Sequence, residues 1–443
     1  TPLYSSAASD VYKRQVHALV TVMPTRLPQG IQGAASVWDG TNAYIFGGSS
    51  HVAGPFNHIL RYNPSTGSIS SMSAVLPDPV VDFPAVWTGQ YVYLFGGYVA
   101  PLHTSDKIVR YNPLTDAITV MSAKLPTYAF PLYSMSAIWD GNYAYLFGGY
   151  DGYSYYDHIL KYDPVNDQIT VTGARLPTGI KWTSAVWSGT YAYIFGGRTA
   201  YGVSDEIARY DPAYDLITVM SAKLPLGIFV SSAVWAGTYA YIFGGSDIYN
   251  QELSGILRYD HASDSITTVE DLPSPRRWTC AVWDGSSAYI FGGEDSESRD
   301  LDEIVRFSPA IPATVDINPD TLNLKSRGRW ITAYIELPED YDVNDIDISS
   351  ILLNDTILVD PSAPTSIGDY DSDAIPDLMV KFNRTEVISY ILNNINIIEL
   401  VQERFMTVTL TITGYLNDGT PFQGSDTIKI ILPTPRRYRA TPI

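Results

Sequence analysis

Hydrophobic positions over residues 16–309 fall in short β-branched and aromatic runs separated by turn residues. The same runs return in the same order; one copy reads AVW, AYIFGG, DEIARY and DLITVM. Runs of this length, broken by Gly, Asn, Asp and Pro, predict strands. Three markers keep the copies in step. Phe-Gly-Gly begins at Phe46, Phe95, Phe147, Phe195, Phe243 and Phe291, with spacings of 49, 52, 48, 48 and 48. A Trp stands eight residues before each Phe (Trp38, Trp87, Trp139, Trp187, Trp235, Trp283), and a basic-aromatic pair follows it, from Arg61-Tyr62 to Arg306-Phe307. Asp39-Gly40, Thr88-Gly89, Ser188-Gly189 and Ala236-Gly237 join the first two strands of their copies and supply the positive φ of a tight hairpin. Asn63-Pro64 and Asp163-Pro164 mark the turn between the third and fourth. Each copy is expected to be one antiparallel four-stranded meander, and six copies are present.

A four-stranded sheet repeated about an axis makes a β-propeller, and Phe-Gly-Gly after Tyr-Ile or Tyr-Leu, with a Tyr about sixteen residues on, resembles the kelch repeat. Where such repeats usually carry Trp seven residues after that Tyr, this chain has Ile69, Ile118, Ile169, Ile217 and Ile266, and its recurring Trp lies on the first strand. The resemblance implies an all-β chain whose six-bladed kelch-type propeller is related to the central domain of galactose oxidase. The sixth copy stops after Arg306-Phe307 without a fourth strand, whereas VHALVTVMPTRLP at 16–28 matches ITVMSAKLP at 118–126. The N-terminal strand is therefore expected to complete the last blade and cover edges that would otherwise be bare.

After Pro309 the repeat ends. Residues 310–434 carry the runs WITAYIEL, ILLNDTILV, LMVKF, MTVTLTITGYL and DTIKIIL with no helical periodicity between them, which predicts a β-sandwich domain. This segment resembles a small module of archaeal and bacterial surface proteins. Residues 435–443 read as a tail. TPLYSSAASDVYKRQ at 1–15 fits no part of the pattern and is expected to be a non-native or disordered leader.

Composition narrows the function classes. The 443 residues include 47 acidic and 28 basic side chains, for a formal charge of −19, with no Lys/Arg run. Nucleic acid and anionic membranes are poor partners for such a surface. No apolar stretch approaches the ~18 residues of a membrane span, so no membrane insertion is expected. The single cysteine, Cys280, excludes an internal disulfide or a Cys-based zinc cluster. Tyr outnumbers Phe 33 to 14, and such a surface suits an extracellular or cell-surface location.

No phosphate loop, nucleophile elbow or His-Glu-x-x-His helix occurs. Galactose oxidase uses a crosslinked Cys-Tyr pair at copper; here the only thiol, Cys280, lies at the start of a first strand and reads as a buried structural group. His58 and His158 share a repeat slot with Lys107, Glu206, Gly255 and Glu303, and a slot this tolerant reads as surface. Asp369, Asp371, Asp373 and Asp377 stand at loop positions 1, 3, 5 and 9, the oxygen-rich spacing hard cations prefer. They resemble an EF-hand-like calcium loop. Ala374 stands at the usual Gly position and Val380 at that of the bidentate Glu, so a structural calcium of weak affinity, on the order of 10⁻⁴ to 10⁻³ M, is expected.

The turns between strands one and two, and three and four, repeat almost unchanged, while the other two sets of connections vary. Variation on one face of a regular scaffold marks a binding surface. That face carries Tyr98, Tyr128, Tyr153, Tyr155, Trp182, Arg198, Tyr201, Tyr249, Arg277 and Trp278, rings and cations suited to a protein or glycan ligand. The expected function is thus a binding or adhesion module. The alternative is a carbohydrate-active or oxidase-type enzyme with its site at the central mouth.

Overall fold

The computed structural model describes residues 19–99, 103–128, 131–339, 341–395 and 397–432, so the expected leader and tail lie outside the described residues. Val20–Phe307 form one compact unit, and the chain from Ser308 belongs to a second.

In the first unit each repeat folds as one antiparallel sheet. The fourth sheet is representative: Ser184–Trp187, Ala192–Phe195, Glu206–Asp211 and Leu216–Lys223, hydrogen-bonded in that order. Its second strand is buried throughout, because both faces meet neighbouring sheets, whereas the outer fourth strand alternates. The hairpin glycines take the expected left-handed conformation, with φ of 98° at Gly40 and 91° at Gly189. The first strand of each sheet packs beside those of its two neighbours, the sixth (Cys280–Trp283) beside the first (Ala35–Trp38). The sheets thus form a closed ring. Leu19–Arg26 lies against Glu303–Ser308 and supplies the fourth strand of the sixth sheet.

Three devices join successive sheets. The third-strand Tyr packs edge-on against the preceding sheet's second strand: Tyr111 against Phe46 at 5.6 Å, Tyr210 against Phe147 at 5.8 Å. The second glycine of five doublets (Gly48, Gly149, Gly197, Gly245, Gly293) donates its N–H to the chain entering the next sheet, as in Gly197 to the Ile228 carbonyl at 2.7 Å. The doublet must be glycine there, since a Cβ on Gly196 (φ 54°) would lie 2.1 Å from that same oxygen. The third device is a carboxylate clamp. Asp215, in the turn between the third and fourth strands, accepts the Tyr210 hydroxyl at 2.9 Å and the N–H groups of Gly173 and Ala174 on the preceding sheet. Asp116, Asp167 and Asp264 repeat it with Tyr111, Tyr162 and Tyr259.

The second unit has one core between two sheets. One sheet is built on Phe405–Leu416, Pro421–Ile431 and Ile346–Leu353; the other contains Thr314–Asn318, Trp330–Glu336, Asp377–Asn383 and Ser366–Gly368. The expectation of strands alone is corrected here by two helices, α1 (Arg384–Asn394) and α2 (Ile397–Glu403). Asn383 caps α1 by accepting the N–H groups of Thr385 and Glu386, and Val387 and Ile391, one turn apart, bury its inner face.

Candidate binding face

Five residues before each recurring Trp the chain turns into its first strand through a left-handed residue: Gly33, Asp82, Ser134, Trp182, Val230 and Trp278, with φ between 52° and 63°. These six form a closed hydrogen-bonded ring around the axis. Each N–H donates to the carbonyl of its counterpart on the preceding sheet, from Asp82 to Gly33 (2.9 Å) through Trp278 to Val230 (3.0 Å) and back from Gly33 to Trp278 (2.9 Å). The backbone is thereby occupied, and only side chains differ around the mouth. Gly33, Asp82, Trp182, Val230 and Trp278 line a cavity of about 120 Å³.

The acidic member is Asp82, whose carboxyl accepts the Trp182 indole N–H at 2.7 Å and the Ser134 hydroxyl. Burial pushes this carboxyl up to about 6, against the opposing pull of those two bonds and of the Lys181 charge. Trp182 meets Trp278 edge-to-face at 5.2 Å and stacks on Phe229 at 5.7 Å. Around the mouth lies a second circle of paired residues, one from each chain entering a first strand and one following each glycine doublet: Gln32 with Ser49, Val81 with Tyr98, Tyr133 with Tyr150, Lys181 with Arg198, Phe229 with Ser246, Arg277 with Glu294. The rings among them continue outward from Trp182. Lys181 lies 3.8 Å from the Trp182 and Tyr150 ring centres and 5.4 Å from that of Tyr155; Tyr133 links Tyr150 to Tyr98 at 5.8 Å each. Two aromatic groups, one of Tyr98, Tyr133, Tyr150 and Tyr155 and one of Trp182, Phe229 and Trp278, thus form an arc from Tyr98 to Trp278 bridged by the Lys181 ammonium. Burial, reinforced by Arg198 and opposed by Asp82, lowers the Lys181 ammonium to about 8.

Residues 32–245 match the family model described as the KLHDC2/KLHL20/DRC7 Kelch-repeats domain. The fold is of the kelch type. No curated protein matches the chain. Kelch repeats commonly mediate protein binding.

The kelch unit brings only some of the sequence-derived candidates together. Tyr98, Tyr155, Trp182, Arg198 and Trp278 belong to the arc, Arg198 lying 5.4 Å from the Phe229 ring centre. Arg277 borders it but is bound to Glu252 at 3.2 Å and Glu294 at 2.9 Å. Tyr128 lies elsewhere, stacked on Tyr156 at 4.4 Å with its hydroxyl 2.8 Å from His158 Nδ1. Tyr153, Tyr201 and Tyr249 are 74%, 96% and 79% exposed, so they stand on loop tips rather than in the ring's packing. Asp151 and Asp247 are buried and accept the N–H groups of Tyr153 and Tyr249, which fixes those two tips, whereas the Tyr201 N–H is held by the Thr199 hydroxyl. The sequence reading missed Asp82 and Ser134. Their signal was the slot five residues before each Trp, which becomes informative only when the six copies are aligned on that residue.

Cys280 is buried, and burial pushes its thiol up to about 12, as a structural group requires. The opposite mouth has an open cavity of about 250 Å³ lined by the six recurring Trp. In the second unit, carboxylate oxygens of Asp369, Asp371 and Asp377 lie within 4.8 Å of one another, while Asp373 groups instead with Asp371 and Glu336. Asp369 also accepts three backbone N–H groups of its own loop, and Ala374 adopts φ 78°, the conformation for which Gly is usual. Burial and then the neighbouring carboxylates push Asp377 upward.

Proposed function

We propose that this chain is a secreted or cell-surface binding module that holds a protein or glycan ligand on the loop face of its propeller. The carrying observation is the aromatic arc from Tyr98 to Trp278, converging on a mouth whose backbone is already hydrogen-bonded. Neighbouring ring faces give large contact area at small entropic cost. Glycan and peptide arrays probed with the full chain test the reading. Trp182→Ala with Trp278→Ala is expected to abolish capture, and the corresponding Phe variants, which keep ring faces, to retain it. Equal capture by the double Ala variant counts against the proposal.

A second reading, an enzyme at the central mouth, has the Asp82 carboxyl in its favour, since a group titrating near 6 suits general acid-base work. Glycoside turnover that vanishes in Asp82→Asn would select it. Calcium at Asp369, Asp371, Asp373 and Asp377 is proposed on its sequence spacing, as a structural ion of weak affinity. Titration calorimetry of the full chain without calcium heat overturns that proposal.

A further inference from the structure

We infer that Lys181 and Arg198 form the anion subsite of the loop face and that the ligand they take is an acidic saccharide, a hexuronate whose carboxylate meets the two cations while its ring lies against the adjoining aromatic faces. This inference rests on the loop-face reading and deepens it.

Lys181 and Arg198 are directly opposite in an antiparallel ladder, Ile180–Lys181 against Arg198–Thr199. Like charges in that position repel and destabilise the pair. The equivalent slot of the sixth sheet holds Arg277 opposite Glu294, joined at 2.9 Å, so the scaffold accommodates a neutralised pair there. In the fourth sheet no carboxylate among the described residues forms an ion pair with either cation. Lys181 is buried with its ammonium against the Tyr150 and Trp182 rings, and the Asp82 charge acts on it without an ion-pair contact. Arg198 is part-exposed, lies over Phe229 and donates to the Asn250 side chain at 3.2 Å. An incoming anion relieves the repulsion and accepts charge-assisted hydrogen bonds from both groups.

Saccharide is favoured over peptide by what the mouth withholds. An extended peptide brings its own backbone N–H and C=O groups and needs backbone partners. Here the inner ring closes on itself, and Arg198–Thr199 is paired on both sides, by Ile180–Lys181 and Gly202–Val203. The mouth offers aromatic faces, two cations and the Asp82 carboxylate, which together suit a ring bearing hydroxyls and one acid group.

The test compares an oligogalacturonate with its methyl ester, which keeps the sugar and removes the charge. Binding to the full chain and to Lys181→Met/Arg198→Gln is measured by calorimetry, with melting temperature as the folding control and Arg198→Gln alone as a second variant should the double fail to fold. The acid is expected to bind more tightly than the ester, and the substitutions to weaken the acid by at least about tenfold and to abolish its advantage over the ester. Equal binding of acid and ester, indifference of the acid to the substitutions, or no oligogalacturonate binding overturns the inference. Charge-dependent binding of a Glu-rich peptide with oligogalacturonate silent also overturns it, in favour of an acidic peptide. The loop-face reading fails separately, by array capture that survives loss of Trp182 and Trp278.

Discussion

Asp82 shows how one residue can be both structural and responsive. Its carboxylate ties together side chains from three sheets, its own, that of Ser134 and that of Trp182, at a position where backbone geometry alone would permit any residue tolerant of positive φ. Because folding raises its proton affinity from the ordinary 3.8 to about 6, the native chain retains a proton that the unfolded chain releases. The stability contributed by this group is therefore full below about pH 4, declines as pH rises toward 6, and is level above. The Trp182 indole reports the same event. Tryptophan emission is expected to shift with a midpoint near 6 and to lose that component in Asp82→Asn; an unchanged titration in the variant would assign the shift elsewhere.

Between elements, the carboxylate clamp explains why the joints of the ring are unequal. In Asp215, burial alone would raise the carboxyl, but the Tyr210 hydroxyl and the two N–H groups outweigh it and hold the group below its ordinary range. Four joints carry this clamp. At the joint between the sixth and first sheets both halves are missing. Gly67 occupies the turn position of the Asp, and Pro24, with no N–H to give, occupies that of Ser122; Thr25 instead donates to the Gly67 carbonyl at 2.5 Å. The Tyr62 hydroxyl is buried with no hydrogen-bond partner among the described residues. At the joint between the fifth and sixth sheets Phe307 replaces the Tyr altogether. Asp167→Ala is expected to cost roughly 2–4 kcal/mol, since it strands a buried hydroxyl and two N–H groups. Gly67→Asp with Pro24→Ser should rebuild the absent clamp and raise the melting temperature. Gly67 already has φ 64°, which Asp adopts near 50° at the other joints. Calorimetric melting of the two variants checks both, and a seam variant no more stable than the parent would show that Thr25 already compensates.

For the whole molecule, a second-unit core distinct from the inter-sheet clusters of the first implies two cooperative units. Heat denaturation is expected to resolve into two transitions. Ile412→Ala, which opens a cavity in the second core at a cost of about 2–5 kcal/mol, should lower one transition and leave the other in place; a shift of both would mean that the units unfold together.

The repeat, its four strands, the hairpin glycines and the N-terminal strand's match to the missing fourth strand were all legible in the amino-acid order, because strand periodicity, turn chemistry and positive φ are local demands that leave a mark in every copy. The capped helix α1 left a local mark as well, in Asn383 and the Val387–Ile391 spacing, but the surrounding β-rich pattern obscured it. The composition of the mouth was of another kind. Asp82, Ser134, Trp182 and Trp278 come from different copies and have no common residue type, and Lys181 faces Arg198 across a ladder joining two connections that vary freely. The slot recurs with the repeat but the residue in it does not, so the amino-acid order placed Trp182, Arg198 and Trp278 on one face, while only the closing of the ring set the Asp82 carboxyl against the Trp182 indole and Lys181 opposite Arg198.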